Sequence, residues 1–167
     1  MRTRVALFVT AALVGGLFVG TQQASAAPQG SFCHIAGKAT FSRGLTQKAR
    51  AVSYTFAGVL NDCASSSKSY SSAKIVASGS GSLSCGQGKS SGVATVTWKS
   101  GRTSTVKFTT TSFAALVDVQ GKVTKGAFKG DMAGGPLVFE ANPPDCFKSS
   151  GVKTAKFDGG TGVGNYK

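Results

Sequence analysis

Residues 94–110, with the sequence ATVTWKSGRTSTVKFTT, constrain the fold more than any other stretch of the chain. Ala94, Val96 and Trp98 alternate with threonines, and beyond a glycine-containing turn Val106 alternates with polar residues. Alternation with a period of two residues is typical of half-buried β-strands. The stretch therefore predicts a β-hairpin whose apolar side chains share one face.

The parity of the apolar residues also predicts the loop of this hairpin. A two-residue loop would place Val96 and Val106 on opposite faces, whereas a three-residue loop over residues 99–101 places them on the same face. The resulting pairs are Trp98 with Arg102, Val96 with Ser104 and Ala94 with Val106. Such a loop is a type I turn followed by a left-handed residue, a conformation that Gly101 adopts without strain.

The start of the chain has the pattern of a secretory signal peptide. A basic start is followed by an uncharged apolar run over residues 5–20 and by small residues at 24–26. A membrane anchor is the alternative, but the run is shorter than the ~20 residues that a span needs. We predict a signal peptide at residues 1–26, a single all-β domain at residues 27–167, secretion, and no membrane segment after cleavage.

The remaining chain contains an even number of cysteines, which in an exported protein favours disulfides. They are Cys33, Cys63, Cys85 and Cys146. Matching apolar faces between two predicted strands pairs Ile35 with Leu60, Gly37 with Gly58, Ala39 with Phe56 and Phe41 with Tyr54. In this register a small bulge brings Cys33 to Cys63, which by elimination leaves Cys85 for Cys146. Spacing alone leaves the two other connectivities open.

A zinc site is the alternative use of these cysteines. Cys-x-x-Cys spacing is absent, and the only histidine, His34, adjoins Cys33. The pattern therefore disfavours a metal. We expect neither a metal nor a cofactor.

Short alternating segments separated by glycine-rich turns continue through the chain, and no helical period occurs outside the signal peptide. The sequence contains 23 glycines against 4 prolines. This pattern predicts an antiparallel β-barrel or β-sandwich of about 8–10 strands with two disulfides. Small inward residues such as Gly79 and Gly81 favour the barrel. We place a polar loop at residues 64–72, a turn at 86–92 and the last strand at 152–157.

Several motifs resemble a group of small exported actinobacterial proteins rich in β-structure. They are Cys33, Gly37, Phe41, Gly44-Leu45, Phe56, Gly58, Leu60, Cys63, Trp98, the run from Gly101 to Thr105, and Gly126-x-Phe128-x-Gly130. The resemblance spans nearly the whole mature chain. It implies an exported β-rich fold with two disulfides and implies no particular activity.

Positive charge is the one feature of the composition that bears on function. Loss of two arginines with the signal peptide leaves 17 basic and 6 acidic residues, a net charge of +11. The basic residues predicted at turns are Arg43, Lys89, Lys99, Arg102, Lys125 and Lys129. If they converge, they would bind anionic cell-wall or extracellular polymers; dispersed, they would serve solubility. Nucleic acid is disfavoured because the aromatic residues point inward and leave few stacking platforms.

Catalytic motifs are absent from the sequence. His34 is the only usual base, no Gly-x-Ser-x-Gly elbow occurs, and the acidic residues fall mostly in predicted turns. We therefore expect an exported, non-catalytic binding protein, with a small apolar pocket shifting this role toward ligand carriage. The alternatives are a secreted inhibitor presenting residues 64–72 or 142–148 to an unknown protein, and then a hydrolase whose acidic residues meet on folding.

Overall fold

Eight antiparallel strands close into a barrel in the computed structural model, which describes residues 30–164. They are β1 (Gly30–Leu45), β2 (Arg50–Ser65), β3 (Ala73–Leu83), β4 (Gln87–Trp98), β5 (Thr103–Phe113), β6 (Leu116–Gly126), β7 (Met132–Glu140) and β8 (Val152–Gly164). Each strand pairs with its sequence neighbours, and β8 closes the sheet on β1. The predicted all-β barrel is confirmed, and the sandwich alternative is wrong. The predicted signal peptide lies outside the described residues.

Two short 3₁₀ helices, Lys68–Tyr70 and Pro143–Phe147, lie in the connections at opposite ends of the barrel. Within residues 30–164, neither helix has the length and apolar character needed to cross a membrane.

Both predicted hairpin registers are confirmed. In β4 and β5, Val96 pairs with Ser104, and the Trp98 amide donates to the Arg102 carbonyl at 2.9 Å. Gly101 has a φ of 80°, as the three-residue loop requires. In β1 and β2 all four predicted pairs occur, and the register shifts between Phe32 and His34, where the bulge was expected. Parity of apolar residues was therefore sufficient to align neighbouring strands.

The disulfides are Cys33–Cys63 and Cys85–Cys146. The first joins the neighbouring strands β1 and β2. The second joins the β3–β4 turn to the 3₁₀ helix between β7 and β8, and these two connections lie four strands apart around an eight-stranded barrel. The Cys85–Cys146 bridge therefore crosses one end of the barrel. Two disulfides indicate a protein that folds outside the reducing cytoplasm.

Several strand boundaries differ from the sequence prediction. The last strand extends past 157 to Gly164, β4 begins at Gln87 rather than after residue 92, and a turn at residues 114–115 divides the apolar segment around it into β5 and β6. Polar and glycine-rich segments form strands here because a strand between two neighbours has its backbone groups paired on both edges. Pairing on both sides outweighs the low strand propensity of these residues.

The stagger of the strands follows from the pairing. Stepping around the sheet from Phe41, successive partners are Tyr54, Gly79, Gly92, Phe108, Gly121, Ala133, Val163 and Ser31. The circuit starts at residue 41 of β1 and returns at residue 31 of the same strand, so the strands tilt strongly against the barrel axis. Four positions of this layer carry glycine or alanine. Rings of the same layer occupy the space over two of these glycines: a Cβ at Gly79 would lie 2.6 Å from the Tyr54 hydroxyl oxygen, and a Cβ at Gly92 would lie 2.6 Å from Phe108 Cζ.

Hydrophobic residues fill the two ends unequally. We call the end that carries the β2–β3, β4–β5 and β6–β7 connections the Trp98 end, and the opposite end the Cys85 end. At the Trp98 end, the buried rings of Tyr70, Trp98 and Phe128 pack with centroids 4.6–5.3 Å apart. Tyr70 belongs to the segment predicted as a polar loop, which thus contributes to the core. At the Cys85 end, the core cluster includes Leu45 and Cys146.

Candidate functional site

An apolar cavity of about 180 Å³ lies inside the barrel between the two ends. Phe41, Phe56 and Phe108 are among its lining residues, and Phe41 and Phe108 belong to the same layer as Gly79, Gly92 and Gly121. No Lys, Arg, His, Asp or Glu from the described part of the chain lines it. An eight-stranded barrel is just wide enough to be filled by side chains or to hold one small ligand. Here the inward side chains leave part of the interior unfilled.

The cavity opens at the Cys85 end, on the side formed by β5, β6 and β7. Near this end the inward-facing residues Ser112, Val117 and Phe139 are only half-buried. Toward the Trp98 end of the same wall, inward-facing Val106 and Val123 are buried. This wall is therefore more open at the Cys85 end, and the aromatic cluster packs across the other end.

Three hydroxyl groups form a chain along the cavity wall. The Tyr54 hydroxyl lies 2.9 Å from Ser90 Oγ, which lies 2.7 Å from Thr110 Oγ1. Tyr54 reaches from β2 across β3 to β4 because a glycine stands below its ring: a Cβ at Gly79 would lie 2.6 Å from the Tyr54 oxygen. Burial raises the pKa of Tyr54, and the hydrogen bond to Ser90 opposes this shift. The phenol consequently keeps its proton at neutral pH.

Exposed hydrophobic residues flank the mouth of the cavity on the outer wall. Phe113 pairs with Leu116, which pairs with Val138. These side chains are 79%, 52% and 45% exposed, and Phe147 at the same end is 77% exposed. The mouth is therefore bordered by an apolar surface.

The six basic residues predicted to bind do not all come together. Lys99 and Arg102 in the β4–β5 connection and Lys129 in the β6–β7 connection lie at the Trp98 end. Lys125 lies at the same end, but in strand β6 rather than in the predicted turn. Arg43 and Lys89 were predicted at turns but lie within β1 and β4, near the Cys85 end of each strand. Arg102 Nη1 donates to the Tyr70 hydroxyl at 3.1 Å. These six residues thus divide into a group of four at the Trp98 end and a group of two at the Cys85 end.

The residues considered for catalysis lie outside the cavity. His34 Nε2 lies 3.0 Å from Asp158 Oδ2, within hydrogen-bonding distance, on the outer wall, where the side chains are 45% and 51% exposed. Neither residue lines the cavity. Across residues 30–164, no three His, Cys, Asp or Glu residues come close enough to hold a metal ion.

Both segments considered for an inhibitory loop fold back onto the barrel. In residues 64–72, Tyr70 is buried in the Trp98-end core. In residues 142–148, Cys146 is buried, and Lys148 Nζ donates to Asp145 Oδ1 at 2.6 Å, which lowers the pKa of that carboxyl. Phe147 is the large exposed apolar residue of these two segments.

No protein-family model matches the sequence, and no curated protein or solved structure is detectably similar to it. The cavity and the surface are therefore the features of the protein that bear on its function.

The hydroxyl chain was absent from the sequence-based candidates, although a signal for it exists. Ser90 has the same parity as Ala94, Val96 and Trp98, so extending the alternation backward along β4 would have turned it inward. Placing a turn at residues 86–92 interrupted that alternation.

Proposed function

We propose that the mature chain is a secreted, non-catalytic binding protein that carries a small apolar ligand inside its barrel. The observation that supports this proposal is the apolar cavity, open at the Cys85 end and closed at the other by Tyr70, Trp98 and Phe128. Ligand pockets are mostly apolar clefts with a few convergent polar groups. The cavity and its hydroxyl chain have this composition.

The cavity volume limits the ligand to a small molecule. A cavity of about 150 Å³ lined by apolar side chains accommodates benzene. The present volume of about 180 Å³ therefore suits a molecule of one ring or a comparably short chain.

The test is a binding measurement with a blocked cavity. Val119 on β6 faces inward and lines the cavity, whereas Gln120, the next residue, faces solvent. We expect toluene to raise the unfolding temperature of the wild-type chain and of Gln120→Trp, because a ligand that binds only the native state stabilises it. Val119→Trp fills the space and should abolish the shift. Failure of toluene, cumene and acetophenone all to bind the wild-type chain would refute the proposal.

A second candidate function is binding of an anionic polymer at the Trp98 end. The supporting observation is that four of the basic residues share this end, and that Lys107 and Lys122 pair across β5 and β6 on the adjoining outer wall. Clustered positive charge attracts polyanions in a salt-dependent manner.

This second function is tested by charge-matched variants. Replacing Lys99, Arg102, Lys125 and Lys129 with Gln should weaken retention on a dextran sulfate column. Replacing Arg43, Lys48, Lys89 and Lys153 with Gln removes the same charge at the Cys85 end and should change retention less. Equal effects from both variants would show that only net charge matters.

A further inference from the structure

The hydroxyl chain in the cavity has one more proton than it can use. Each hydroxyl group has a single donor. Tyr54, Ser90 and Thr110 make two hydrogen bonds with one another, and no further side-chain bond of these three groups occurs within residues 30–164. Two bonds use two of the three protons, whichever direction the chain takes. One O–H therefore remains without an acceptor in the protein.

Other hydroxyl groups around the cavity mostly have acceptors of their own. Ser84 donates to the Gln87 carbonyl at 2.8 Å, and Ser104 donates to the Ala127 carbonyl at 2.7 Å. Thr161 lines the cavity from β8, on the wall opposite β4, and is a single hydroxyl rather than a chain. A donor at the end of a hydrogen-bonded chain is polarised by its neighbours and donates more strongly. The chain is therefore the stronger donor site.

Among the described residues, the cavity lining carries no charged side chain, and this limits the kind of hydrogen-bond acceptor that the unused O–H can bind. None of the described residues lining the cavity is ionisable to a cation at neutral pH. A carboxylate entering this space would lose its hydration without gaining a counter-ion, which is strongly unfavourable. A neutral carbonyl or ether oxygen loses much less.

We infer that the cavity binds a neutral molecule of about one ring that carries a hydrogen-bond acceptor, and that the Tyr54, Ser90 and Thr110 chain donates to this acceptor. This inference rests on the proposed carrier function and specifies its ligand class. The apolar wall holds the body of the ligand. The hydroxyl chain fixes its orientation.

Three probes of equal size and similar shape separate the contributions. Cumene, acetophenone and benzoate each have a phenyl ring with a branched three-atom substituent; they differ in offering no acceptor, a neutral acceptor and an anionic one. Dissociation constants for the full mature chain are measured by titration calorimetry. We expect acetophenone and cumene to bind, and benzoate to fail at concentrations where acetophenone saturates.

The variant Tyr54→Phe/Ser90→Ala/Thr110→Val removes all three hydroxyl groups. A single substitution would be insufficient, because the two remaining hydroxyl groups still have at least one unused proton. In the triple variant the affinity ratio of acetophenone to cumene should fall about fivefold, as expected for loss of one neutral hydrogen bond. The two probes differ in their free energy of transfer out of water. Because this difference is the same for the wild-type chain and the variant, it cancels when the two affinity ratios are compared. Continued binding of cumene shows that the variant is folded and that its cavity is intact.

Thr161→Val is the matched control, because it removes one cavity hydroxyl outside the chain. We expect it to leave the ratio unchanged. An unchanged ratio in the triple variant, a ratio lost in Thr161→Val instead, or stronger binding of benzoate than of acetophenone would overturn the inference while leaving the carrier function standing. Absence of binding by all three probes would instead refute the carrier function.

Discussion

Replacing Trp98 with alanine should destabilise the barrel more than any other single truncation at the Trp98 end. The ring is 3% exposed, and its centroid lies 5.3 Å from those of both Tyr70 and Phe128. Its Nε1 also donates to Ser104 Oγ at 2.9 Å. Truncation thus removes buried area, two aromatic contacts and a hydrogen bond together.

The expected magnitude follows from these contacts. Truncating a buried aromatic residue to alanine lowers the free energy of unfolding by about 3–5 kcal/mol. Each aromatic pair contributes about 0.5–1.5 kcal/mol beyond its buried area. We therefore expect the loss for Trp98→Ala to lie near the upper end of the range for buried aromatic residues, at about 5 kcal/mol. Trp98→Phe keeps a ring in the cluster and should lower the free energy by about 1–2 kcal/mol through the lost hydrogen bond and the smaller ring.

Urea unfolding followed by far-ultraviolet circular dichroism measures both variants. Tryptophan fluorescence is unsuitable because Trp98 is the only tryptophan in the chain. The slope of the free energy of unfolding against urea concentration should be the same for all variants. A shift in the urea midpoint then reports a change in stability. Val76→Ala, on the outer wall with 56% exposure, is the control and should change stability little. A loss below about 2 kcal/mol for Trp98→Ala would contradict the buried position of the ring.

Three further outcomes are expected. Replacing Cys85 and Cys146 with alanine should lower the free energy of unfolding by about 4 kcal/mol in the chain-entropy treatment, since the bridge closes a separation of 61 residues; an unchanged urea midpoint would contradict this. Tyr54 has a pKa raised above 10.0, so the unfolded chain loses this proton first and stability should fall as pH rises above about 10; urea midpoints at pH 9 and 11 should diverge less in Tyr54→Phe, and equal divergence would argue against burial of the phenol. Gly101→Val should destabilise the β4–β5 hairpin, because φ of 80° is strained for a β-branched residue; Ser100→Val, beside it in the loop, is the control in the same unfolding assay.

The sequence was sufficient to predict how neighbouring strands align. The positions of Val96 and Val106 determine the loop of their hairpin, because a shift of one residue would turn one of them to solvent. The same reasoning placed Cys33 beside Cys63. These predictions depend on the alternation of apolar and polar residues along each strand, which can be read directly from the sequence.

The division of the basic residues could not be predicted in the same way. Lys99 and Lys129 are correctly placed in turns, but the end of the barrel on which a turn lies depends on how many strands precede it. The sequence prediction missed the turn at residues 114–115 and misplaced the start of β4. An error in strand number moves every later turn to the opposite end.

The cavity depends on how the strands are staggered against one another around the barrel. The alternation of apolar and polar residues along a single strand does not reveal this stagger. Gly79, Gly92 and Gly121 belong to three strands and share a layer because of the stagger with which the barrel closes. Tyr54 uses the space above Gly79 to reach Ser90, so a larger residue at position 79 would displace the ring and break the hydroxyl chain. The glycine layer and the hydroxyl chain are thus geometrically coupled. A substitution at Gly79 would therefore change the hydrogen bonding in the cavity as well as the packing of the layer.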